Sequence, residues 1–94
     1  IVIKPPELCP LSSNFYGNIF KEVGVPEGII NIVHGRGEVT GKKLVKHNDI
    51  NYIVFTGSPE VASEILKETA DRIIPCHFEL GGKSAAIIFS GCRY

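Results

Sequence analysis

The chain alternates short apolar runs with longer stretches in which apolar residues recur every three or four positions. The short runs are rich in β-branched residues and predict buried strands over 1–4, 29–33, 52–55, 75–80 and 85–89. The longer stretches predict helices over 10–23, 38–47 and 59–72. Because strands that alternate with helices build βαβ units, we expect an α/β fold with a parallel sheet and flanking helices.

Residues with special backbone chemistry mark the ends of the predicted helices. Pro10 and Pro59 suit a first helical turn, and Ser58 is a predicted N-cap. Gly24, followed by Pro26, is a helix stop signal. Helical spacing gives the first helix one face of Leu11, Phe15, Ile19, Phe20 and Val23, and the third one face of Val61, Ala62, Ile65, Leu66 and Thr69.

The charge and cysteine content argue against several kinds of partner and site. Ten basic and ten acidic side chains give a formal net charge of zero, and the cluster Lys42-Lys43…Lys46-His47 fits a solvated helix end. Without a basic stripe that carries aromatics, we expect no nucleic-acid partner, and no apolar run is long enough to span a bilayer. Three cysteines in no paired spacing predict reduced thiols and a cytoplasmic or other reducing compartment. Since the histidines share no ligand spacing with these cysteines, we expect no metal site.

The first residues of the chain and its length are typical of a fragment of a larger protein. The first residue is Ile, Met is absent from all 94 residues, and the chain opens inside an apolar run. A translated protein begins with Met and rarely opens in the middle of a strand. We therefore expect a fragment of a larger protein.

Two blocks place polar groups where strands end. Phe55-Thr56-Gly57-Ser58 joins a predicted strand to a predicted helix, and such a junction suits a phosphate because free N–H groups and the positive helix end point at the turn. Ser58 could equally serve only as a helix cap. Glu79-Leu80-Gly81-Gly82-Lys83-Ser84 ends the next apolar run. Burial there would raise the pKa of the Glu79 carboxyl and suit it to acid–base work; the simpler alternative is a partly exposed glutamate at a strand end.

Two further blocks of candidate ligand-binding residues follow the ends of the first two predicted strands. Lys4 and Glu7 flank a proline pair after the first strand, at the edge where open α/β sheets bind ligands. Gly35-x-Gly37-x-x-x-Gly41 follows the second strand and is one residue longer than the dinucleotide fingerprint. Taken alone, an exposed loop and a turn of simple geometry are the plainer explanations.

In this order, the four blocks resemble the coenzyme domain of the aldehyde dehydrogenase superfamily. The resemblance begins at Lys4-Pro5-Pro6-Glu7, passes through 25–33, and fades after Phe89. It implies a partial Rossmann-like, dinucleotide-binding domain over 1–94, with the catalytic and oligomerisation domains absent from this chain. It also implies a parent enzyme that oxidises an aldehyde to a carboxylic acid and forms a homo-oligomer.

The resemblance assigns cofactor roles residue by residue. Lys4 and Glu7 match the residues that hold the adenosine ribose, and the Glu7 charge would repel a 2′-phosphate, which implies NAD rather than NADP. Gly35 and Gly37 would lie near the adenine half. The residues that would contact the pyrophosphate and the nicotinamide half are Phe55, Thr56, Gly57 and Ser58, together with Leu80 and Gly81, where Gly81 and Gly82 leave room for the ring.

The resemblance makes Glu79 the base that activates water for hydrolysis of a cysteine thioester. The attacking cysteine of the family lies beyond Tyr94, and none of Cys9, Cys76 and Cys92 matches it. We therefore expect the isolated chain to be inactive. The alternative is a truncated, non-catalytic nucleotide-binding or structural module; a CoA-acylating or acyl-phosphate-reducing relative is disfavoured, since such enzymes do not need the hydrolytic Glu79.

Overall fold

The computed structural model describes residues 1–91 and divides the chain into two compact units, Ile1–Asn51 and Tyr52–Tyr94. The strands are β1 (Val2–Ile3), β2 (Asn31–Ile32), β3 (Ile53–Thr56) and β4 (Cys76–Glu79), and the α-helices are α1 (Pro10–Glu22), α2 (Lys42–Lys46) and α3 (Pro59–Thr69). Each unit contains one strand–helix–strand crossover. The predicted α/β class with parallel strands and flanking helices is confirmed.

In the first unit, β1 and β2 pair in parallel, with Val2 opposite Asn31 and Ile3 opposite Ile32. The ladder is extended by the Val33 N–H, which donates to the Ile3 carbonyl at 2.9 Å. The pairing brings the segments that follow both strands to the same edge, because parallel strands end on the same side.

Helix α1 begins and ends where the sequence predicts. Pro10 lies in its first turn, and the N-cap residue Cys9 makes no side-chain capping hydrogen bond. At the other end, Gly24 takes a positive φ of 78°, and its N–H donates to Lys21 while the Val25 N–H donates to Phe20. This is a Schellman ending, which favours glycine at the left-handed position.

The predicted apolar face of α1 is mostly exposed in this unit. Leu11 is 77% exposed and Phe15 66% exposed, while Phe20 of the same face is half-buried and Ser13, outside it, is buried. Helical spacing therefore identifies a shared face but does not show that this face is buried within the unit.

The second unit is built on β3 and β4, which also pair in parallel. Their register places Ile53 opposite Cys76, Val54 opposite His77, Phe55 opposite Phe78, and Thr56 opposite Glu79. The half-buried side chains of both strands alternate with exposed ones, as period-two geometry requires. Helix α3 supplies the buried residues Ala62, Ile65 and Thr69 from its predicted face, whose Val61 and Leu66 are instead 43% and 52% exposed.

Two further expectations need correction. The hydrogen-bonded ladders form two two-stranded sheets, one in each unit, where the sequence predicts a single sheet. Residues 85–89 form no strand, and Ile87 and Phe89 are 77% and 73% exposed. A strand exists only through hydrogen bonds to a neighbour, and no described residue supplies a partner for this run.

The remaining turns refine the helix boundaries. The predicted helix over 38–47 consists of a π-helical segment, Gly37–Gly41, followed by α2, and α3 continues into a 3₁₀ turn, Ala70–Arg72. Among residues 1–91, no helix is long and apolar enough to cross a membrane. The described residues also contain no cluster of three potential metal ligands.

Candidate functional site

The first unit brings together four of the predicted cofactor residues. The Lys4 ammonium donates to the carbonyl of Gly35 at 3.1 Å and to that of Pro5 at 2.9 Å. The Gly37 N–H donates to Oε2 of Glu7 at 3.0 Å. The loop after β1 is therefore joined to the turn after β2 at two points, and we call Lys4, Glu7, Gly35 and Gly37 the Lys4–Glu7 cluster.

Glycine is required at one position of this turn. Gly35 has a φ of 141°, and a Cβ there would collide with Oγ1 of Thr40. The Thr40 hydroxyl donates to the carbonyl of His34 at 3.4 Å, which keeps its side chain against the turn. The backbone can thus expose the Gly35 carbonyl to Lys4 only without a side chain at residue 35.

The charged groups of the Lys4–Glu7 cluster keep free hydrogen-bonding capacity. Two of the three Lys4 ammonium protons are donated to carbonyls, and one of the two Glu7 carboxylate oxygens accepts the Gly37 N–H. In the part of the chain that the structure describes, Glu7 Oε1 accepts no hydrogen bond. The cluster therefore offers a cationic donor and an anionic acceptor to a ligand.

Beside the cluster, the turn carries a second charge pair. Arg36 Nη1 lies 3.1 Å from Oε1 of Glu38, and both side chains are mostly exposed, at 74% and 67%. Such an exposed pair contributes little to stability. It does place one cation and one further anion on the same turn as Gly37.

The second unit joins the other two sequence blocks directly. Thr56, the last residue of β3, lies opposite Glu79, the last residue of β4, and the Gly57 N–H donates to the Glu79 carbonyl at 3.1 Å. We call Thr56, Gly57, Ser58 and Glu79 the strand-end site. The sequence predicts the block that ends at Ser58 and the block that begins at Glu79 separately, and the strand register places the two side by side.

The helix that follows has the expected cap. The hydroxyl of Ser58 accepts the Val61 N–H at 3.4 Å, Pro59 occupies the first turn, and the Ser58 N–H makes no hydrogen bond within residues 1–91. The ring of Phe55 lies over Gly57, where a Cβ would come within 2.5 Å of its Cζ. A side chain at residue 57 is therefore excluded unless this ring moves.

A carboxylate missed by the sequence analysis also lies at this helix end. Hydrogen bonds from the Ser58 side chain and from the Glu60 backbone N–H lower the pKa of the Glu60 carboxyl below its ordinary value of 4.5. The negative charge suits the positive helix terminus. The signal available in the sequence was an acidic residue in the first helical turn.

Of the two alternatives for Glu79, the structure shows the exposed strand-end glutamate. Its side chain is 68% exposed, and Oε1 lies 3.0 Å from Nε2 of His77. The alternative of a buried carboxylate is wrong for the described residues, because Glu79 lies on the open face of a two-stranded sheet. His77 was missed, although period-two alternation places residues 77 and 79 on the same face.

The glycines after Glu79 leave open space, as expected. A Cβ at Gly81 or Gly82 would meet nothing within 4 Å, and Leu80 is 42% exposed. Gly82 has a φ of 148°, which further favours glycine there. Cys76 lies on the opposite face of β4 from Glu79, as its spacing predicts, and Cys92 lies outside the described residues.

Comparison with known proteins identifies the family. The model of the aldehyde dehydrogenase family matches residues 1–93, beyond Phe89, where the resemblance was expected to fade. The chain belongs to the aldehyde dehydrogenase family. The Lys4–Glu7 cluster and the strand-end site both lie within the matched residues.

Individual relatives agree with this assignment. A 2-hydroxymuconic semialdehyde dehydrogenase of Pseudomonas sp. (strain CF600) is 41% identical over 93 residues, which are 98% of this chain and 19% of the relative. The NADP/NAD-dependent aldehyde dehydrogenase PuuC of Escherichia coli (strain K12) is also 41% identical, with the same coverage. The crystal structure of a Mycobacterium tuberculosis aldehyde dehydrogenase complexed with NAD+ matches with a TM-score of 0.86 and 46% identity, covering 96% of this chain and 18% of that one. The chain thus spans about a fifth of the length of these relatives.

Proposed function

We propose that this chain forms the coenzyme-binding segment of an NAD-dependent aldehyde dehydrogenase that oxidises an aldehyde to a carboxylic acid. The observation that carries the proposal is the Lys4–Glu7 cluster, in which two charged side chains are fixed to one glycine turn by hydrogen bonds of 3.0 and 3.1 Å. An exposed loop without a ligand would not need a lysine and a glutamate held across some thirty residues of sequence.

The cluster fits the vicinal hydroxyls of a ribose. Glu7 Oε1 can accept from a hydroxyl, and the third Lys4 proton can be donated to one. Hydrogen bonds to charged groups are the stronger class, at about 1.5–3 kcal/mol each. Because both side chains are already anchored, little conformational freedom would be lost on binding.

The same geometry favours NAD over NADP. A 2′-phosphate would bring its negative charge towards the Glu7 carboxylate. Like charges at close range disfavour binding. Arg36 and Glu38 pair with each other on the turn, so together they add no net charge to it.

The strand-end site of the second unit has, by itself, features that suit a phosphate and a flat ring. The Ser58 N–H and hydroxyl lie at the start of α3, where the positive end of a helix favours a phosphate. Open space beside Gly81 and Gly82 suits a flat ring. A nicotinamide held there would supply the hydride acceptor for oxidation of the aldehyde.

In this account, Glu79 is the general base of the hydrolytic step. Its exposed carboxylate oxygen Oε2 accepts a proton from water, the water oxygen bonds to the acyl carbon, and the carbon–sulfur bond of the thioester breaks to return a thiolate. The nucleophilic cysteine would come from outside these 94 residues, as the family resemblance implies, and Cys76 lies on the face of β4 opposite Glu79.

We further propose that the assembled protein is a cytoplasmic homo-oligomer. The thiols of Cys9 and Cys76 are free, which suits a reducing compartment. Large apolar side chains such as Leu11, Phe15 and Ile87 are mostly exposed in this chain and need a covering surface.

A graft tests the proposed function. Residues 1–93 replace the matching segment of the Mycobacterium tuberculosis relative, and the product, which we call the graft enzyme, is assayed for NADH formation with a panel of aldehydes. We expect NAD binding and aldehyde-dependent NADH formation. The Lys4→Ala/Glu7→Ala double variant should lose most of the NAD affinity, and Lys43→Ala/Glu22→Ala is a matched control because it removes one lysine and one glutamate outside the cluster.

The outcomes separate the proposal from its alternative. A graft enzyme that melts cooperatively but binds no NAD would contradict the coenzyme role of this segment. Binding of NAD without any NADH formation would instead favour the non-catalytic nucleotide-binding module.

A further inference from the structure

The exposed face of the β3–β4 sheet carries a second functional group beside Glu79. His77 and Glu79 are separated by one residue on β4, so their side chains point to the same side of the sheet. Nε2 of His77 lies 3.0 Å from Oε1 of Glu79. The contact uses one carboxylate oxygen and leaves Oε2 of Glu79 without a partner among residues 1–91.

Among residues 1–91, no other titratable side chain faces this pair. On β3, the residues opposite His77 and Glu79 are Val54 and Thr56, which do not ionise in the relevant range. Helix α3 meets β4 on the opposite face, where Oγ1 of Thr69 lies 3.9 Å from Sγ of Cys76. Lys83, the next basic residue along the chain, forms no ion pair with Glu79 within the described residues.

We propose that His77 is a positioning residue for Glu79 and makes the hydrolytic step pH-dependent. This inference rests on the proposed function, in which Glu79 activates water. The imidazole donates from Nε2 to Oε1, fixes the carboxylate plane, and leaves Oε2 to accept the water proton.

Protonation of His77 changes this arrangement. The imidazolium and the carboxylate then form an ion pair at the same contact, which stabilises the carboxylate and weakens it as a base. Histidine is the side chain whose charge ordinarily changes between about pH 5 and 8. Protonation of His77 should therefore slow hydrolysis, so that the rate declines as the pH is lowered.

The test compares three variants of residue 77 in the graft enzyme. Gln places an amide nitrogen near the position of Nε2 and does not titrate, so His77→Gln should keep the rate at pH 8 and lose the decline between pH 8 and 5. His77→Ala removes both the hydrogen-bond donor and the titratable ring, so it should also lower the rate at pH 8 by about tenfold. That factor is a small part of the 10²–10⁴ that a general base contributes to the rate. His47→Gln is the matched control, because His47 also precedes an acidic residue by two positions, with Nδ1 3.9 Å from Oδ2 of Asp49.

The pre-steady-state burst of NADH reports the preceding chemistry in every variant. We expect its amplitude to be the same in His77→Gln, His77→Ala and the unsubstituted graft enzyme, which shows that folding, NAD binding and acylation are intact. If His77→Gln retains the full pH dependence of the steady-state rate, the inference is overturned while the proposed function stands. If the unsubstituted graft enzyme forms no NADH at all, the proposed function has failed instead. A burst lost in both His77 variants would assign His77 to acylation or folding and would also overturn the inference.

Discussion

Replacing Glu7 with Gln separates the two tasks that the structure gives this carboxylate. Glu7 Oε2 accepts the Gly37 N–H at 3.0 Å, and Oε1 is open to a ligand hydroxyl. Gln retains one carbonyl oxygen for the Gly37 N–H but presents an NH₂ group where a ribose hydroxyl needs an acceptor. The turn should therefore remain in place while the ligand loses its anionic partner.

The expected loss of NAD affinity follows from the difference between charged and neutral hydrogen bonds. Bonds to charged groups contribute about 1.5–3 kcal/mol and neutral ones about 0.5–1.5 kcal/mol, so the substitution should cost NAD about 1–2 kcal/mol. That cost corresponds to a rise in Kd of roughly 5- to 30-fold. NADP should bind no worse than before and should gain relative to NAD, because the charge opposing its 2′-phosphate is gone.

Titration calorimetry of the graft enzyme with NAD and with NADP measures both effects. Glu38→Gln is the matched control: it removes the same charge from the turn that Glu7 contacts but breaks only the exposed contact with Arg36. We expect it to change NAD affinity much less than Glu7→Gln does. If Glu7→Gln leaves both affinities unchanged, Glu7 does not contact the ribose and the reasoning is refuted.

The remaining predictions concern the strand-end site and the stability of the chain. In the graft enzyme, Glu79→Gln should slow the steady-state rate while keeping the NADH burst; an equal loss of burst and turnover would argue against a role in hydrolysis. Ser58→Ala should destabilise α3 by about 0.5–1 kcal/mol in denaturant titrations, near the low end for a lost cap because the bond to Val61 is long at 3.4 Å; no change would show that this hydroxyl does not cap. Because the Ser58 bond is the largest cause of the lowered Glu60 pKa, the folded-state carboxylate adds stability that is complete above pH 4.5, the ordinary value, and is lost as the pH falls through the lower folded pKa. Nuclear magnetic resonance titration should show the Glu60 midpoint moving upwards in Ser58→Ala, and an unmoved midpoint would contradict the assignment. The isolated 94-residue chain should lack a cooperative monomeric unfolding transition, since Ala62 and Ile65 are the buried aliphatic side chains among the described residues; a transition with several kcal/mol of stability would refute this.

Local signals in the sequence predicted much of the fold. Gly24 ends α1 because a Schellman ending needs a left-handed residue, and Ser58 with Pro59 starts α3 because a cap and a fixed φ suit that position. The parallel direction of both strand pairs follows from helical crossovers between them. These features depend on a few neighbouring residues, so a single sequence reveals them.

Features that depend on distant partners were harder to predict. The run over 85–89 has strand composition, yet it forms no strand among the described residues because composition does not supply a hydrogen-bonding neighbour. Helical spacing in α1 shows which residues share a face but not how far that face is buried, and most of it is exposed here.

In the candidate site too, the sequence predicted the individual residues but not the contacts between distant ones. Sequence blocks indicated Lys4, Glu7 and the glycines, but the hydrogen bond from Gly37 to Glu7 joins residues thirty positions apart and needed the structure. The sequence analysis did not predict the His77–Glu79 contact, because the apolar run around these two residues contains no other residue that marks a polar face. Strand alternation alone would have placed the two side chains on one face.

A crystal structure of the graft enzyme with NAD bound tests the central claim most directly. We predict that the adenosine ribose hydroxyls lie within hydrogen-bonding distance, about 2.7–3.2 Å, of Lys4 Nζ and Glu7 Oε1, while Oε2 keeps its bond to the Gly37 N–H. An adenosine ribose bound away from both side chains would contradict the account.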